Sequence, residues 1–448
     1  MRTTASLAGL GSNPLSVREG FLYGLLGLPL AFCALPLYVL LPNLYAREFQ
    51  VPLATLGALL LGSRLFDAMI DPLVGRWCDR LYAKSTQAVL TFGAVTAAVL
   101  GLGFSLLFFP PRKDTGGLLA VTAVLLVVTY SAYSALSVAH QSWGARLGGD
   151  DAQRSRIVAW REGLGLAGVV LASVTPGLLG LPFLVAGFLV SLIFGWVAWT
   201  RAVRPSCPIG STASTLSFDM QTANPTAKFR QAEIWQPWHN RVFRRLLAVF
   251  LLNGIASAVP ATLILFFIQD RLQATEAIQP LFLGSFFICG ALSMPVWLRM
   301  VKSFGLARSW LAGMVLSIAV FLTAAHLGTG DTAAFLLVCA LSGLALGSDL
   351  ALPGALLARV IADNGDQDRS AGVYFGWWNF VTKLNLALAA GLALPLLSLF
   401  GYAPGTRDEN GLQALTFAYC LLPSALKTLA ALALHFLIVR PSATGRPK

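Results

Sequence analysis

Twelve apolar runs dominate this chain of 448 residues, each close to the roughly 20 residues that cross a bilayer as an α-helix. They lie at about 20–46, 52–77, 86–109, 117–145, 156–179, 181–202, 244–269, 277–301, 304–327, 332–361, 370–400 and 412–439. Inside a bilayer the backbone must satisfy its own hydrogen bonds, so a lone run of this length has only the helix open to it. Bulk composition points the same way. Hydrophobic residues make up 56% of the chain and charged residues 12%, with a mean hydropathy of +0.71, whereas soluble domains carry about 25% charged residues. The fold class expected is an all-α membrane protein with twelve transmembrane helices.

A single long polar stretch, 203–243, splits the runs six and six and is rich in Ser, Thr, Pro, Asn and Gln. The expected organisation is an N-terminal six-helix half at 1–202, a cytoplasmic central loop at 203–243 and a C-terminal six-helix half at 244–448. The loop ends in Trp235, Trp238, His239, Arg241, Arg244 and Arg245, which suits an interfacial anchor and equally a plain linker. A weak internal echo makes the halves pseudo-symmetric: Leu61-Gly62-Ser63 recurs as Leu283-Gly284-Ser285, and Pro72 as Pro295 with one residue of slippage. The acids of the second run have no counterpart in the eighth.

The net charge of +12 is topogenic on this reading. Of the 32 Lys and Arg, 24 fall on the side that holds the N-terminus, five on the opposite side and three inside runs. Both termini are therefore expected to be cytoplasmic, and nucleic acid is excluded as a partner. The six cysteines, Cys33, Cys78, Cys207, Cys289, Cys339 and Cys420, are scattered without C-x-x-C spacing, so neither a disulfide framework nor a zinc site is expected. Met1 to Arg18 does not read as a cleavable signal peptide, because the apolar run behind it is too long.

Charge inside the runs is scarce, and by default it marks function. Arg64, Asp67 and Asp71 differ by three and four positions and share one helical face. An oxygen-rich pair of this kind can hold Na⁺ or H₃O⁺, or carry a proton. Pro72 removes the N–H that would bond the Ala68 carbonyl, which adds a candidate oxygen ligand. The alternative is a structural Arg64–Asp67 ion pair with Asp71 capping the next turn. Lys383, in the eleventh run, needs an acid, and Asp67, Asp71 or Asp349 can supply it. Asp67 and Asp71 against Lys383 leave one net negative charge, room for one cation, unless Arg64 also points inward. Lys427 in the last run is expected to snorkel to the interface. Tyr133, Ser137, His140 and Gln141 in the fourth run, Arg161 in the fifth, and Trp378 and Asn379 in the eleventh are the expected lining of a solute cavity. For His140 a satisfied buried ring competes with that reading. Glu162 beside Arg161 reads equally as half of an ion pair at the membrane edge.

Gly75, Asp79 and Arg80 form Gly-x-x-x-Asp-Arg after the second run, which resembles the loop signature of the major facilitator superfamily. The stretch Arg64-Leu65-Phe66-Asp67-Ala68-Met69-Ile70-Asp71-Pro72 further resembles the signature of the glycoside–pentoside–hexuronide:cation symporters, the melibiose-permease-like branch of that superfamily. Trp160-Arg161-Glu162 and the run from Tyr374-Phe375-Gly376 to Lys383 carry the likeness along the chain. The resemblance implies the major facilitator fold, alternating access, and symport of a solute with Na⁺, H⁺ or Li⁺. It implies that Asp67 and Asp71 bind the cation, and that Arg64 and Lys383 hold those acids when no ion is bound. It makes Gly75, Asp79 and Arg80 a cytoplasmic gate. Acids that contact sugar in melibiose-permease-like members fall on Pro29 and Ser137 here, and a related lysophosphatidylcholine branch shares the segment-2 acids and the segment-11 lysine.

The expected function is a cation-coupled symporter of a small organic solute, sugar-like by family default, acting as a monomer in the inner membrane without a cofactor other than the transported Na⁺ or H⁺. A lysophospholipid symporter of the same fold is the alternative, and a non-transporting receptor or scaffold is the alternative class. An enzyme is not expected: the chain has no H-E-x-x-H or G-x-S-x-G motif and no metal site.

Overall fold

The computed structural model describes residues 15–41, 44–45, 48–49, 51, 53–111, 115–205, 234–275, 278–400, 402 and 407–440. Every regular element among these residues is helical. The N-terminal half consists of α1 (Val17–Leu35), α2 (Leu53–Lys84), α3 (Thr86–Phe108), α4 (Thr115–Arg146), α5 (Asp151–Leu179) and α6 (Leu181–Thr200). The C-terminal half consists of α7 (Arg241–Phe266), α8 (Gln279–Phe304), α9 (Leu306–Ala324), α10 (Thr332–Asp363), α11 (Ala371–Leu399) and α12 (Glu409–Val439). Ten of these segments, all but α2 and α11, are long and apolar enough to cross a membrane among the described residues. The other two, of 32 and 29 residues, carry Arg64, Asp67, Asp71 and Lys383.

Helix starts follow local chemistry. Ser16 and Glu19 form a capping box at α1, and Ser85, Asp150 and Asn240 accept backbone N–H groups at the starts of α3, α5 and α7. Wider π turns interrupt the ladder at Pro36–Leu40, Phe267–Arg271, Phe417–Leu421 and His435–Val439. Each rotates the residues beyond it relative to a plain α-helix.

Small residues let helices approach closely, as packing inside a bilayer demands. On α1, Gly24 and Gly27 lie against the main-chain carbonyls of Trp160 and Arg161 on α5. In the N-terminal half the fully buried Trp143 and Trp199 meet edge to face at 5.3 Å, and Gly93 on α3 receives the Trp199 ring. Gly93→Leu is expected to overpack this site at a cost of about 1–3 kcal/mol, read as a lower midpoint of thermal unfolding in detergent. A second apolar cluster in the C-terminal half gathers Phe267, Phe282, Phe335 and Tyr419.

Candidate functional site

A cavity of about 1180 Å³ lies between the halves, with walls from both. Tyr133, Ser137, Gln141 and Arg161 line it from α4 and α5, and Trp378 and Asn379 line it from α11. The expectation for His140 is corrected. Its ring is fully buried, bonds the Tyr23 carbonyl through Nε2 at 2.8 Å, and lies tilted against the Tyr23 ring with centres 4.4 Å apart. Tyr23 stands in the cavity wall instead, because the small residues of α1 bring that helix tight against α5.

The charged face of α2 meets α4 and α11 at one point. Asp67 is 3% exposed and Asp71 is fully buried. Lys383 Nζ lies 2.5 Å from Asp67 Oδ2, 2.8 Å from Asp71 Oδ2 and 2.7 Å from Ser134 Oγ. Ser134 in turn donates to Asp67 Oδ1 at 2.7 Å. The hydrogen bonds of Lys383 Nζ run to Ser134 Oγ and to Asp71 Oδ1 at 3.0 Å, and Asp67 stands beside it as an ion-pair partner. Two carboxylates face one ammonium here, and a hard cation could replace the ammonium among these oxygens. Arg64 lines the same cavity. Helices α2 and α11 can come this close because Gly376 packs on the main chain of Asp71 and Pro72. Ser134 escapes sequence reasoning: a lone hydroxyl in an apolar helix usually bonds its own backbone, and nothing local shows that it faces another helix.

Asp349 is not a partner of Lys383. Its carboxylate pairs with Lys427 Nζ at 2.7 Å and accepts from Trp310 Nε1 at 2.9 Å and Asn253 Nδ2 at 3.2 Å. Lys427 is accordingly buried, 5% exposed, and does not snorkel. A buried ion pair with further hydrogen bonds outweighs a route to the interface for this side chain. Arg161 bonds its neighbour Glu162 at 2.5 Å and reaches Ser137 Oγ at 3.4 Å, and Gln141 donates to the same hydroxyl at 3.3 Å.

At the basic end of the bundle the halves are clamped. Asp79, 3% exposed, accepts from the N–H groups of Gly372 at 2.7 Å and Val373 at 2.9 Å. These belong to the first turn of α11, where N–H groups lack partners within the helix and favour negative charge. Arg146 at the end of α4 bonds Asp79 at 2.7 Å and the Gln367 carbonyl at 2.8 Å, and its guanidinium stands 4.2 Å over the Tyr82 ring. Arg146 thus sets a guanidinium on Asp79 from outside the Gly75–Arg80 motif, and Arg80 is exposed. The sequence shows Arg146 only as one more basic residue at a loop. Gly75 and Gly372 touch through their main chains. On the far flank Arg359 of α10 bonds Asp151 of α5 at 2.8 Å. Arg146→Ala is expected to strand a buried carboxylate, costing about 3–5 kcal/mol, read as lower thermal stability of the protein in detergent.

The model of the family described as MFS/sugar transport protein matches residues 20–440. The chain belongs to this family. An uncharacterized symporter of Bacillus subtilis, YjmB, is 23% identical over 402 residues, covering 84% of this chain and 83% of that protein. The inner membrane symporter YicJ of Escherichia coli is 23% identical over 409 residues, covering 89% and 86%. Among solved structures, a bacterial homologue of the iron transporter ferroportin in an outward-facing state superposes with a TM-score of 0.66 at 17% identity, over 96% of this chain and 100% of that one. The Escherichia coli fucose:proton symporter FucP superposes at 0.64 with 13% identity, over 94% and 97%. These structures establish the major facilitator fold, and the family makes the chain a multi-pass membrane protein and a secondary transporter, not an enzyme.

Proposed function

We propose that this transporter is a symporter that couples entry of a small hydroxylated solute to a Na⁺ or H⁺ gradient. The observation that carries the reading is the sharing of Lys383 between Asp67 and Asp71 in the wall of a cavity bounded by both halves. A cation that neutralises the two acids releases Lys383, and with it the bond between α2 and α11. Cation and solute then favour the same rearrangement, which is the linkage that symport requires. The names of the relatives, symporters and a putative glycoside/cation symporter of Escherichia coli, support this reading. Gly75, Asp79 and Arg146 close the cavity at the basic end, which the distribution of Lys and Arg assigns to the cytoplasm of an inner membrane. The transporter works as a monomer, with the bilayer as its surroundings and no cofactor besides the coupling ion.

One observation favours a second reading. The cavity exceeds the roughly 300–1000 Å³ of an ordinary ligand site, and Leu37, Ala258, Leu350 and Leu386 contribute apolar wall. An amphiphile such as a lysophospholipid fits that description. Uptake into proteoliposomes under imposed sodium and proton gradients, with methyl glycosides and a lysophospholipid assayed in parallel, separates the two. Gradient-dependent glycoside uptake supports the first reading. Lysophospholipid uptake alone shifts the assignment to the second, and no gradient-dependent flux of either overturns both.

A further inference from the structure

The same three side-chain types meet twice in this molecule. In the first cluster Lys383 bonds Ser134 and the acids of α2. In the second, wholly within the C-terminal half, Lys427 Nζ donates to Asp349 Oδ2 at 2.7 Å and to Ser257 Oγ at 2.9 Å, and Ser257 Oγ stands 3.4 Å from the same carboxylate oxygen. The first cluster has two acids for one ammonium. The second has one, so it is neutral as it stands and offers no surplus charge to a cation.

An ion pair among apolar helices is costly, and such pairs face cavities far more often than lipid. Asp349 does line the solute cavity, with Lys427 buried behind it. Asn253, 3% exposed, donates to Asp349, while its own carbonyl oxygen Oδ1 has no hydrogen-bond partner. Lys427, Ser257, Asn253 and Trp310 hold the carboxylate of Asp349 in the cavity wall, and a carboxylate there is an acceptor to which a neutral hydroxyl can donate. The neighbouring turn adds an apolar surface. Phe250, Asn253 and Ser257 lie at i, i+3 and i+7 on one face of α7. Phe250 stacks on Trp378 with ring centres 3.6 Å apart, and both rings line the cavity. A ring bearing hydroxyls at its rim and C–H groups on its face matches this pairing of polar cluster and aromatic wall.

We propose that Asp349, positioned by Lys427, Ser257 and Asn253, accepts a hydroxyl of a neutral cyclic polyol or sugar beside the Phe250–Trp378 wall. The assignment rests on the transport reading above. It gives the two charge clusters different roles, since the first binds the cation and the second reads the solute.

The test measures uptake of radiolabelled methyl β-D-glucopyranoside, methyl β-D-galactopyranoside and methyl β-D-xylopyranoside into proteoliposomes under sodium and proton gradients. Asp349→Asn is expected to raise KM for the transported glycoside about 10- to 100-fold, the range of a charge-assisted hydrogen bond, while the ratio of uptake with and without the gradient is kept. The double variant Asp349→Asn with Lys427→Gln leaves no unpaired charge. If the pair only holds helices together, this variant restores KM, because removing both partners is far milder than removing one. Restoration overturns the subsite and leaves the transport reading intact. A KM that stays raised in the correctly inserted double variant supports it. Failure of the unaltered protein to take up any of the three glycosides overturns the subsite together with the sugar-transport reading.

Discussion

Asp71→Asn is expected to abolish uptake driven by a sodium or proton gradient while solute exchange without a gradient continues. The substitution keeps the shape of a fully buried side chain and removes its charge. Lys383 then faces one carboxylate, Asp67 at 2.5 Å, and retains Ser134 at 2.7 Å. The cluster loses one of its two negative charges, and with it most of the electrostatic attraction for a cation. The fold survives because no charge is left unpaired, in contrast to the usual outcome of breaking a buried pair. Coupling free energies of about 1–3 kcal/mol correspond to factors of roughly 5–150, and the whole of that factor is expected to vanish from the ratio of gradient-driven to gradient-free accumulation. Wild-type accumulation in this variant would remove Asp71 from the cation site.

Gly75→Leu acts on a different step. Any side chain at this position runs into the main chain of Gly372 and Val373, and backbone cannot turn aside as a side-chain tip can. The strain falls only on the arrangement in which α2 and α11 touch. A penalty of about 3 kcal/mol on that state alone shifts the equilibrium away from it by roughly a hundredfold. Cys78, one helical turn beyond Gly75 and 1% exposed, supplies the readout in a protein that keeps it as the single cysteine. Maleimide labelling of Cys78 is expected to rise steeply in Gly75→Leu, with loss of net transport. Gly187→Leu, where an added Cβ meets open space, is expected to change neither. Equal labelling of Cys78 in both variants would show that the clamp does not depend on the glycine contact.

The helices could be read along the chain because apolar runs of bilayer length leave the backbone little choice. The pairing of Lys383 with Asp67 and Asp71 was legible too, since few charges occur inside the runs and each needs a counterpart. Charge scarcity alone did not say which acid belongs to which lysine. Lys427 finds Asp349 from 78 positions away, and a π turn at Phe417–Leu421 rotates the face that α12 presents before Lys427 is reached. Periodicity counted from a plain helix misses that rotation. His140 was misplaced for a similar reason: polarity in an apolar helix points to some partner, and only the packing of α1 on α4 makes that partner the Tyr23 carbonyl. Arg146 was hidden by its position at a helix end, where basic residues are ordinarily explained by membrane topology.

Asp79 holds the opposite half by two amide N–H groups of α11, at Gly372 and Val373. Amides are common to almost every residue, so one partner in this contact is nearly immune to point mutation. Among the standard residues only proline, at 372 or 373, would delete a donor. Drift in sequence can therefore loosen or tighten this contact only through the carboxylate, through the guanidinium of Arg146, or through the spacing kept by the two facing glycines. At Asp79 the seam is open to tuning from one side and largely fixed from the other.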